Sequence, residues 1–385
     1  MILSNVNIIG QDKAQHIRVE KETISAVTQH KEFLKTIPHE TVLEFNNALA
    51  FPGLINSHDH LDFNLFPLMG NRIYNNYTEW GYDIHDRNKD EINAVLKIPK
   101  HLRTQWGVYK NLLNGITTVV NHGEKLDITD AAINVFQDCY SLHSAQFEKR
   151  WKLSLNKPFI HTYPFVMHIG EGTDKLAHEE INSVIRWNLF KRTMIGVHGV
   201  AMNEQQARYF EALVWCPTSN YFLLNKTAQV DALKENTSVV FGTDSTLTAS
   251  WNIWEQLRLA RKQHMLTDEE LFQSVTSTAA SLWKLNNGVI AKNKIADIVV
   301  AETANNSMDN FYSLNPENIL LVMHKGNIRL FDEDLYDQLK DNASKNFNRI
   351  NVKGKYKYVE NAIPTLIKEI KIYYPDINFP IDIDD

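Results

Sequence analysis

The chain has 385 residues, 43% of them hydrophobic and 22% charged, and a formal charge of −6 at pH 7. This composition is that of a globular protein, and the lack of a basic excess argues against nucleic acid or anionic lipid as a partner. The sequence shows neither a bilayer-spanning apolar run nor a signal peptide, and its two cysteines provide no disulfide framework. We therefore expect a cytoplasmic location, with no membrane partner.

The two ends of the chain share a pattern of short strands. Apolar segments separated by polar clusters predict N-terminal strands at residues 3–9, 17–19, 24–27 and 41–45. The pattern returns later, with strands predicted at residues 295–301, 319–323 and 328–331. Because so few short strands cannot form a core alone, we expect residues 1–50 and 288–332 to combine in one small β-sandwich. Residues 333–385 are expected to form a helical extension with an acidic tail.

Between residues 51 and 287 the pattern changes to apolar strands that alternate with amphipathic helices. Such alternation is typical of parallel β/α units, and short strands that are apolar throughout fit the core of a closed barrel. We predict an α/β fold whose main domain, residues 51–287, is an irregular (β/α)8 TIM-like barrel. The fourth strand is the uncertain one, and residues 151–155 and 161–163 are the candidates for it.

The triplet His58-Asp59-His60 directly follows the apolar run of residues 48–55. Residues i and i+2 of a strand point the same way, so both imidazoles would emerge side by side. Two nitrogen ligands on one rigid element are a good start for a metal site. For an isolated triplet, however, a surface turn would be the better interpretation.

Three further polar clusters follow predicted strands, at His168 with Glu171, at His198, and at Asp244. Each has an ordinary interpretation alone: a core histidine, a turn, or a helix cap. In a parallel barrel, however, all carboxyl ends of the strands meet at one face, where the active site lies. Several imidazoles and a carboxylate at that face predict a zinc-type metal site.

The segment from Phe51 to His60 resembles the opening signature of the amidohydrolase superfamily. Later segments follow the order seen in its mononuclear deaminase and chlorohydrolase branch, which includes guanine deaminase, S-adenosylhomocysteine deaminase and atrazine chlorohydrolase. These segments are His168-x-x-Glu171, His198-Gly199, residues 216–220, Gly242-Thr243-Asp244 and residues 296–300. The resemblance covers nearly the whole chain.

The resemblance implies a homodimer and one divalent metal ion per chain, zinc or alternatively iron. The ligands of the metal ion would be His58, His60, His168 and Asp244. The implied catalytic residues are Glu171 as proton shuttle, His198 as hydrogen-bond partner of the metal-bound oxygen or the substrate, and Asp244 as proton acceptor. Two-metal members use a lysine on the fourth strand, and three nearby lysines leave that alternative open: Lys149, Lys152 and Lys157.

The implied reaction is the attack of a metal-bound hydroxide on an sp² carbon bonded to nitrogen. Our leading hypothesis is deamination of a small cyclic amidine, that is, an aminated heterocycle. An alternative is cleavage of a cyclic or acyclic amide, as in imidazolonepropionase relatives. A third is a catalytically inactive binding protein, whose expected signature, loss of a ligand or of the shuttle, is absent from this sequence.

Candidate substrate contacts lie on loops that follow the predicted strands. They are Asp62, Arg72, Trp80, His122, Tyr163 and Ser245. Arg72 would suit a carboxylate or phosphate. For any one residue of the loop after His60, however, packing of the loop against the barrel is the better interpretation. The chain lacks the Cys-x-x-Cys of zinc deaminases that act on nucleic acids. Together with the negative charge, this favours a small-molecule substrate over a polynucleotide.

Overall fold

The computed structural model describes residues 1–11, 13–33, 40–128, 131–158, 162–303, 305–343 and 346–383. Its N-terminal part consists of four strands. They are β1 (Ile2–Ile8), β2 (Gln15–Glu20), β3 (Thr23–Thr28) and β4 (Val42–Pro52), with a 3-10 turn at Lys31–Phe33. Strand β1 pairs antiparallel with β2 and parallel with β4, so these strands form one continuous sheet.

Eight parallel strands follow in the described part of the chain. They are β5 (Leu54–Asp59), β6 (Ile116–Asn121), β7 (Asn134–Phe136), β8 (Tyr140–Ser144), β9 (Phe165–Ile169), β10 (Met194–His198), β11 (Ala212–Trp215) and β12 (Ser238–Phe241). They pair in sequential order, as ladders β5-β6-β7 and β8 to β12. The chain then returns to β5, where Asp244 N donates to His58 O at 3.1 Å. This is the strand order of a TIM-like barrel, and among the described residues its ladder is interrupted between β7 and β8 and between β12 and β5.

The fourth barrel strand is β8, and neither segment expected from the sequence forms it. Residues Trp151–Leu155 are helical, and residues 162–163 form a bend before β9, while His161 lies outside the described residues. Strand β8 has the sequence YSLHS and is buried only at alternate positions near its end. An apolar run does not mark such a strand, which explains the wrong prediction.

Helices alternate with the barrel strands along the chain. They are α1 (Tyr77–Arg87), α2 (Lys89–Leu96), α3 (Lys100–Leu113), α4 (Trp151–Leu155), α5 (Lys175–Trp187), α6 (Glu204–Ala207), α7 (Pro217–Leu224), α8 (Val230–Leu233), α9 (Ile253–Arg261), α10 (Asp268–Ser274) and α11 (Ser277–Leu282). Side-chain caps fix several starts; Asp174, for example, accepts a hydrogen bond from Ala177 N at the start of α5. Among the described residues, no helix combines the length and the apolarity needed to cross a bilayer.

The C-terminal part returns to the sheet of the N-terminal strands. Its elements are β13 (Ile298–Glu302), α12 (Met308–Ser313), β14 (Ile319–His324), β15 (Asn327–Asp332), α13 (Tyr336–Ala343), β16 (Phe347–Val352), β17 (Lys355–Glu360), α14 (Ile363–Tyr373) and β18 (Asp382–Ile383). Further 3-10 turns lie at Leu61–Phe63, Pro316–Asn318 and Glu333–Leu335. Strand β13 pairs antiparallel with β4, and this pairing joins the two chain ends.

The resulting sheet has ten described strands, in the order β18-β16-β17-β15-β14-β13-β4-β1-β2-β3. The extension expected to be helical therefore also contributes the hairpin β16-β17, which pairs with β15. An aromatic cluster holds the sheet against the barrel. The Phe51 ring of β4 meets Trp254 of α9 and Phe311 of α12 edge-on, at centroid distances of 5.8 and 5.2 Å.

Candidate active site

Three imidazoles converge at the carboxyl ends of the barrel strands. His58 and His60 lie at the end of β5, and His168 lies in β9. The Nε2 atom of His168 is 3.1 Å from Nε2 of His58 and 3.3 Å from Nε2 of His60. All three side chains are buried. The structure thus brings together two segments that are more than a hundred residues apart in the sequence.

Hydrogen bonds cannot explain this convergence. The Nε2 atom of His168 faces two other Nε2 atoms, whereas a neutral imidazole has a single N–H to share. Burial, and then the neighbouring histidines, lower the pKa of His58 and His168 well below the usual range, so both rings are neutral. Neutral imidazoles are metal ligands, and a tetrahedral zinc site separates its ligand atoms by roughly 3.4 Å. The three rings therefore form a group able to hold a divalent metal ion.

A carboxylate completes the cluster. Asp244 follows β12 in a left-handed conformation (φ 55°), which places its Oδ1 atom 3.8 Å from His58 Nε2 and 3.7 Å from His60 Nε2. A non-glycine residue in this conformation is strained, and such strain is common at functional sites. The chain therefore bends at this residue so that the carboxylate faces the imidazoles.

The other oxygen of this carboxylate is held from behind. Asp244 Oδ2 accepts hydrogen bonds from Ser219 Oγ at 2.9 Å and from Thr248 Oγ1 at 3.0 Å. Burial acts to raise the pKa of Asp244. His60, His198 and the hydrogen bonds from Ser219 and from the backbone N–H of Ser245 outweigh burial, and the net pKa lies below the ordinary value. The group is therefore an anion at neutral pH, as a metal ligand and proton acceptor requires.

Glu171 and His198 face each other beside the imidazoles. Glu171 Oε2 lies 3.6 Å from His198 Nε2, and both side chains are buried. Burial, followed by repulsion from Asp244 and Glu180, raises the pKa of Glu171 well above the ordinary value. Burial lowers the pKa of His198 to about 4. The pair therefore consists of a carboxyl with a raised pKa and a neutral imidazole.

A chain of hydrogen bonds fixes which nitrogen of His198 carries the proton. The indole N–H of Trp215 can only donate, and it donates to Thr227 Oγ1 at 2.7 Å. The Thr227 hydroxyl then donates to Asn220 Oδ1 at 3.1 Å, which leaves the amide nitrogen of Asn220 to donate to His198 Nδ1 at 2.9 Å. Because Nδ1 accepts, the proton of the neutral ring is on Nε2, the nitrogen that faces Glu171.

The central residue of the His-Asp-His triplet points away from the imidazoles. Asp59 Oδ2 accepts a hydrogen bond from Lys110 Nζ of α3 at 3.0 Å, and both side chains are almost fully buried. Asn111 of the same helix donates to the same oxygen at 2.8 Å. Helix α3 comes this close because it has a glycine at position 107, where a Cβ atom would lie 2.2 Å from Leu61 O. Nothing in the sequence marks this support beneath the imidazoles.

A cavity of about 460 Å³ opens onto these groups. Besides the imidazoles and the two carboxylates, aromatic and aliphatic side chains form most of its wall. They are Phe63, Tyr77, Trp80, Tyr82, Ile84, Phe147, Leu223 and Leu247, together with His85, His143, Ser245 and Thr248. Two expected substrate contacts, Trp80 and Ser245, therefore line the cavity.

The other four expected substrate contacts do not line it. Asp62 lies beside Arg103, Arg72 is paired with Glu79, and His122 lies behind the imidazoles, with its ring 4.6 Å from that of His168. Tyr163 precedes β9 and lies at the opposite end of that strand from His168. The error for Tyr163 follows from the misplaced fourth strand.

His143 is a cavity residue that the sequence analysis missed. It lies in β8, its ring is 5.1 Å from that of His168, and burial lowers its pKa to about 4. The three lysines considered for a two-metal site are exposed, and β8, the fourth strand, contains no lysine. The alternative of a bridging lysine therefore loses its structural basis.

Comparison with known proteins shows that part of the chain is similar to amidohydrolases. Residues 164–329 match the profile of the Amidohydrolase family. The chain is 24% identical to the 5-methylthioadenosine/S-adenosylhomocysteine deaminase of Caldicellulosiruptor saccharolyticus (strain ATCC 43494 / DSM 8903 / Tp8T 6331), over 82% of this chain and 88% of that protein. The resemblance noted in the sequence is thus confirmed.

Solved structures confirm the fold. An adenosine deaminase from Xanthomonas campestris with bound zinc matches with a TM-score of 0.67 and 13% identity, over 98% of each chain. The Helicobacter pylori aminofutalosine deaminase, in complex with methylthio-coformycin, matches with a TM-score of 0.61 and 14% identity, over 85% of this chain and 99% of that one. The TIM-like barrel with an additional domain is therefore the architecture of this chain.

Proposed function

We propose that this chain, which contains an amidohydrolase family domain, is a metal-dependent hydrolase that deaminates a small aminated heterocycle. One observation carries the proposal: three imidazoles, an aspartate and a glutamate meet at one end of a cavity with an aromatic wall. The similarity to proteins named as deaminases supports loss of ammonia rather than amide cleavage. The inactive-binder alternative has no support, since no member of the expected set is missing.

We assign the metal to His58, His60, His168 and Asp244, with zinc as the preferred ion because nitrogen and oxygen ligands in this number suit it. When bound, such an ion lowers the pKa of a water ligand toward about 7 and supplies the nucleophile at neutral pH. The coordination is a proposal from the geometry of the ligands. The zinc-bound adenosine deaminase that shares the fold is consistent with it.

Two side chains of the protein would accept and donate the protons of the reaction. Asp244, ionised and held by Ser219 and Thr248, accepts the proton of the attacking water. The water oxygen then adds to the ring carbon that bears the amino group. Glu171 delivers its proton to the ring nitrogen, and the proton held by Asp244 passes to the leaving amino group. The carbon–nitrogen bond then breaks to release ammonia, and the new hydroxyl returns a proton to Glu171 as the carbonyl forms. His198 donates a hydrogen bond from Nε2 to the reacting group, in the tautomer that Asn220 fixes.

Ammonia release from a panel of aminated purines, pyrimidines and triazines tests the proposal. We expect at least one of these compounds to be deaminated by the zinc-loaded protein. In the Glu171→Gln variant, we expect retention of fold and metal but a 10²–10⁴-fold loss of turnover, because a positioned proton donor contributes about that much. Glu179→Gln, an exposed position on α5, is the matched control. Near-normal turnover in Glu171→Gln would refute the role of this residue.

The remaining expectations stay predictions. Both cysteines are free, so the chain has no disulfide that a reducing compartment would break. This is consistent with the expected cytoplasmic location. A homodimer is the assembly that the resemblance implies.

A further inference from the structure

The described wall of the cavity offers no lysine or arginine to an anionic substrate. Among the described residues that line it, none is lysine or arginine, and the two carboxylates, Glu171 and Asp244, lie at its metal end. An anionic substituent inside the cavity would therefore lose its hydration, find no counter-charge and face two acidic groups. Burial of an unpaired charge is strongly unfavourable.

The polar atoms of the aromatic wall are already engaged elsewhere. The indole N–H of Trp80 donates to Met69 O at 2.7 Å, and the hydroxyl of Tyr77 donates to Glu180 Oε1 at 2.8 Å. These two side chains consequently offer the cavity their apolar surfaces. Toward solvent, Tyr82 and Phe147 meet at a ring distance of 6.0 Å and remain 72% and 40% exposed. Exposed aromatic residues beside a site indicate an apolar ligand group.

Arg72, the residue expected to bind an anion, is paired with two carboxylates of α1. Arg72 Nη1 lies 2.6 Å from Glu79 Oε1, and its Nη2 lies 3.7 Å from Asp83 Oδ1. Asp83 also accepts from Arg87 Nε at 2.9 Å. Recognition of a carboxylate or phosphate by Arg72 would require these pairs to break, and Arg72 does not line the cavity.

We propose that the substrate is a neutral aminated heterocycle with an apolar substituent, and that the enzyme discriminates against its counterpart with a charged substituent. This inference rests on the proposed deaminase function and narrows it. The heterocycle lies against the metal end of the cavity, where Glu171 and Asp244 manage the protons. The substituent extends along Leu247 and Phe147 toward the mouth.

The two compounds in the name of the relative provide a matched pair of probes. Methylthioadenosine and S-adenosylhomocysteine share adenine, ribose and a thioether, but the first ends in a methyl group and the second in a charged amino-acid group. With the zinc-loaded enzyme, we expect kcat/KM for methylthioadenosine to be at least tenfold higher. Equal values, or a preference for S-adenosylhomocysteine, would overturn the inference.

A substitution at the mouth of the cavity tests whether its apolar wall causes the preference for methylthioadenosine. Phe147→Arg brings a guanidinium to an exposed position, and we expect it to shift the ratio of the two kcat/KM values toward S-adenosylhomocysteine by tenfold or more. Phe147→Leu, the control, keeps the position apolar and should leave the ratio near that of the wild type. An unchanged ratio in Phe147→Arg would count against the inference.

Calorimetric measurement of the binding of both probes to zinc-loaded Glu171→Gln separates the substrate preference from the deaminase function. If neither probe releases ammonia from the wild type, deamination of adenine compounds fails as the function. The binding preference still decides the inference: at least tenfold tighter binding of methylthioadenosine supports it, and equal binding overturns it.

Discussion

His198 presents a protonated Nε2 to the site because the hydrogen bonds behind it permit no other arrangement. Trp215, Thr227 and Asn220 form a directional chain in which each donor has one acceptor. A neutral imidazole held in this way is a hydrogen-bond donor toward Glu171 and the cavity, and its Nε2 atom cannot act as a base. The residue that decides the chemistry of His198 is therefore Asn220, a buried residue of α7 that does not line the cavity.

Asn220→Asp reverses this arrangement. The new carboxylate accepts from His198 Nδ1, so the neutral ring would present a lone pair at Nε2. We expect kcat/KM at pH 8 to fall tenfold or more, since removal of one buried hydrogen bond of this kind is worth about 1–3 kcal/mol. Nitrogen-15 NMR of the ring reports the tautomer directly. Asn225→Asp, at the exposed end of the same helix, is the control. Wild-type activity together with an unchanged tautomer would contradict the assignment.

Helix α3 fixes the strand that presents two of the imidazoles. Its Lys110 donates to Asp59 Oδ2 at 3.0 Å, to Thr243 Oγ1 at 3.2 Å and to Asp244 O at 3.5 Å. One buried ammonium thus joins the end of β5 to the segment that follows β12, where the ladder of the barrel is not continuous. The pair supports the proposed metal ligands from below, and neither of its residues lines the cavity.

Removal of one partner of the Asp59–Lys110 ion pair should lower the free energy of unfolding far more than removal of both. Lys110→Met leaves Asp59 as an unpaired buried charge, and we expect the free energy of unfolding to fall by about 3–5 kcal/mol. The double variant Asp59→Asn with Lys110→Met should recover more than half of that loss. Urea denaturation measures both. Lys100→Met, at an exposed position of the same helix, should change the stability by less than about 0.5 kcal/mol. A single variant as stable as the control would show that the pair is not structural support.

The whole molecule shows which features a sequence can specify. His58, His60, His168 and Asp244 are predictable because each follows an apolar strand, and the carboxyl ends of parallel strands meet at one face. Strand β8 is not predictable in this way, since YSLHS has partly exposed positions that break the apolar run. Misplacement of that strand hid His143 and assigned Tyr163 to the wrong end of the barrel.

Residues that act through other residues are also invisible in the sequence. Asn220 and Lys110 become significant only when packing brings them against His198 and Asp59. Arg72 illustrates the opposite error, because its charge suggests an anion site until the structure shows Glu79 and Asp83 beside it. Ligand chemistry near a strand end is therefore accessible from sequence, whereas the charge balance of a loop is not.

Metal content, measured together with ammonia release, tests the central claim most directly. Elemental analysis of the purified chain should find one divalent ion per chain. Removal by a chelator should abolish ammonia release from the heterocycle that the enzyme accepts and should lower the melting temperature, because the ion binds the folded state. One equivalent of zinc should restore both activity and melting temperature in the wild type. In the His168→Ala variant, the same addition should restore neither. Two tightly bound ions per chain, or full activity in metal-free protein, would contradict the account.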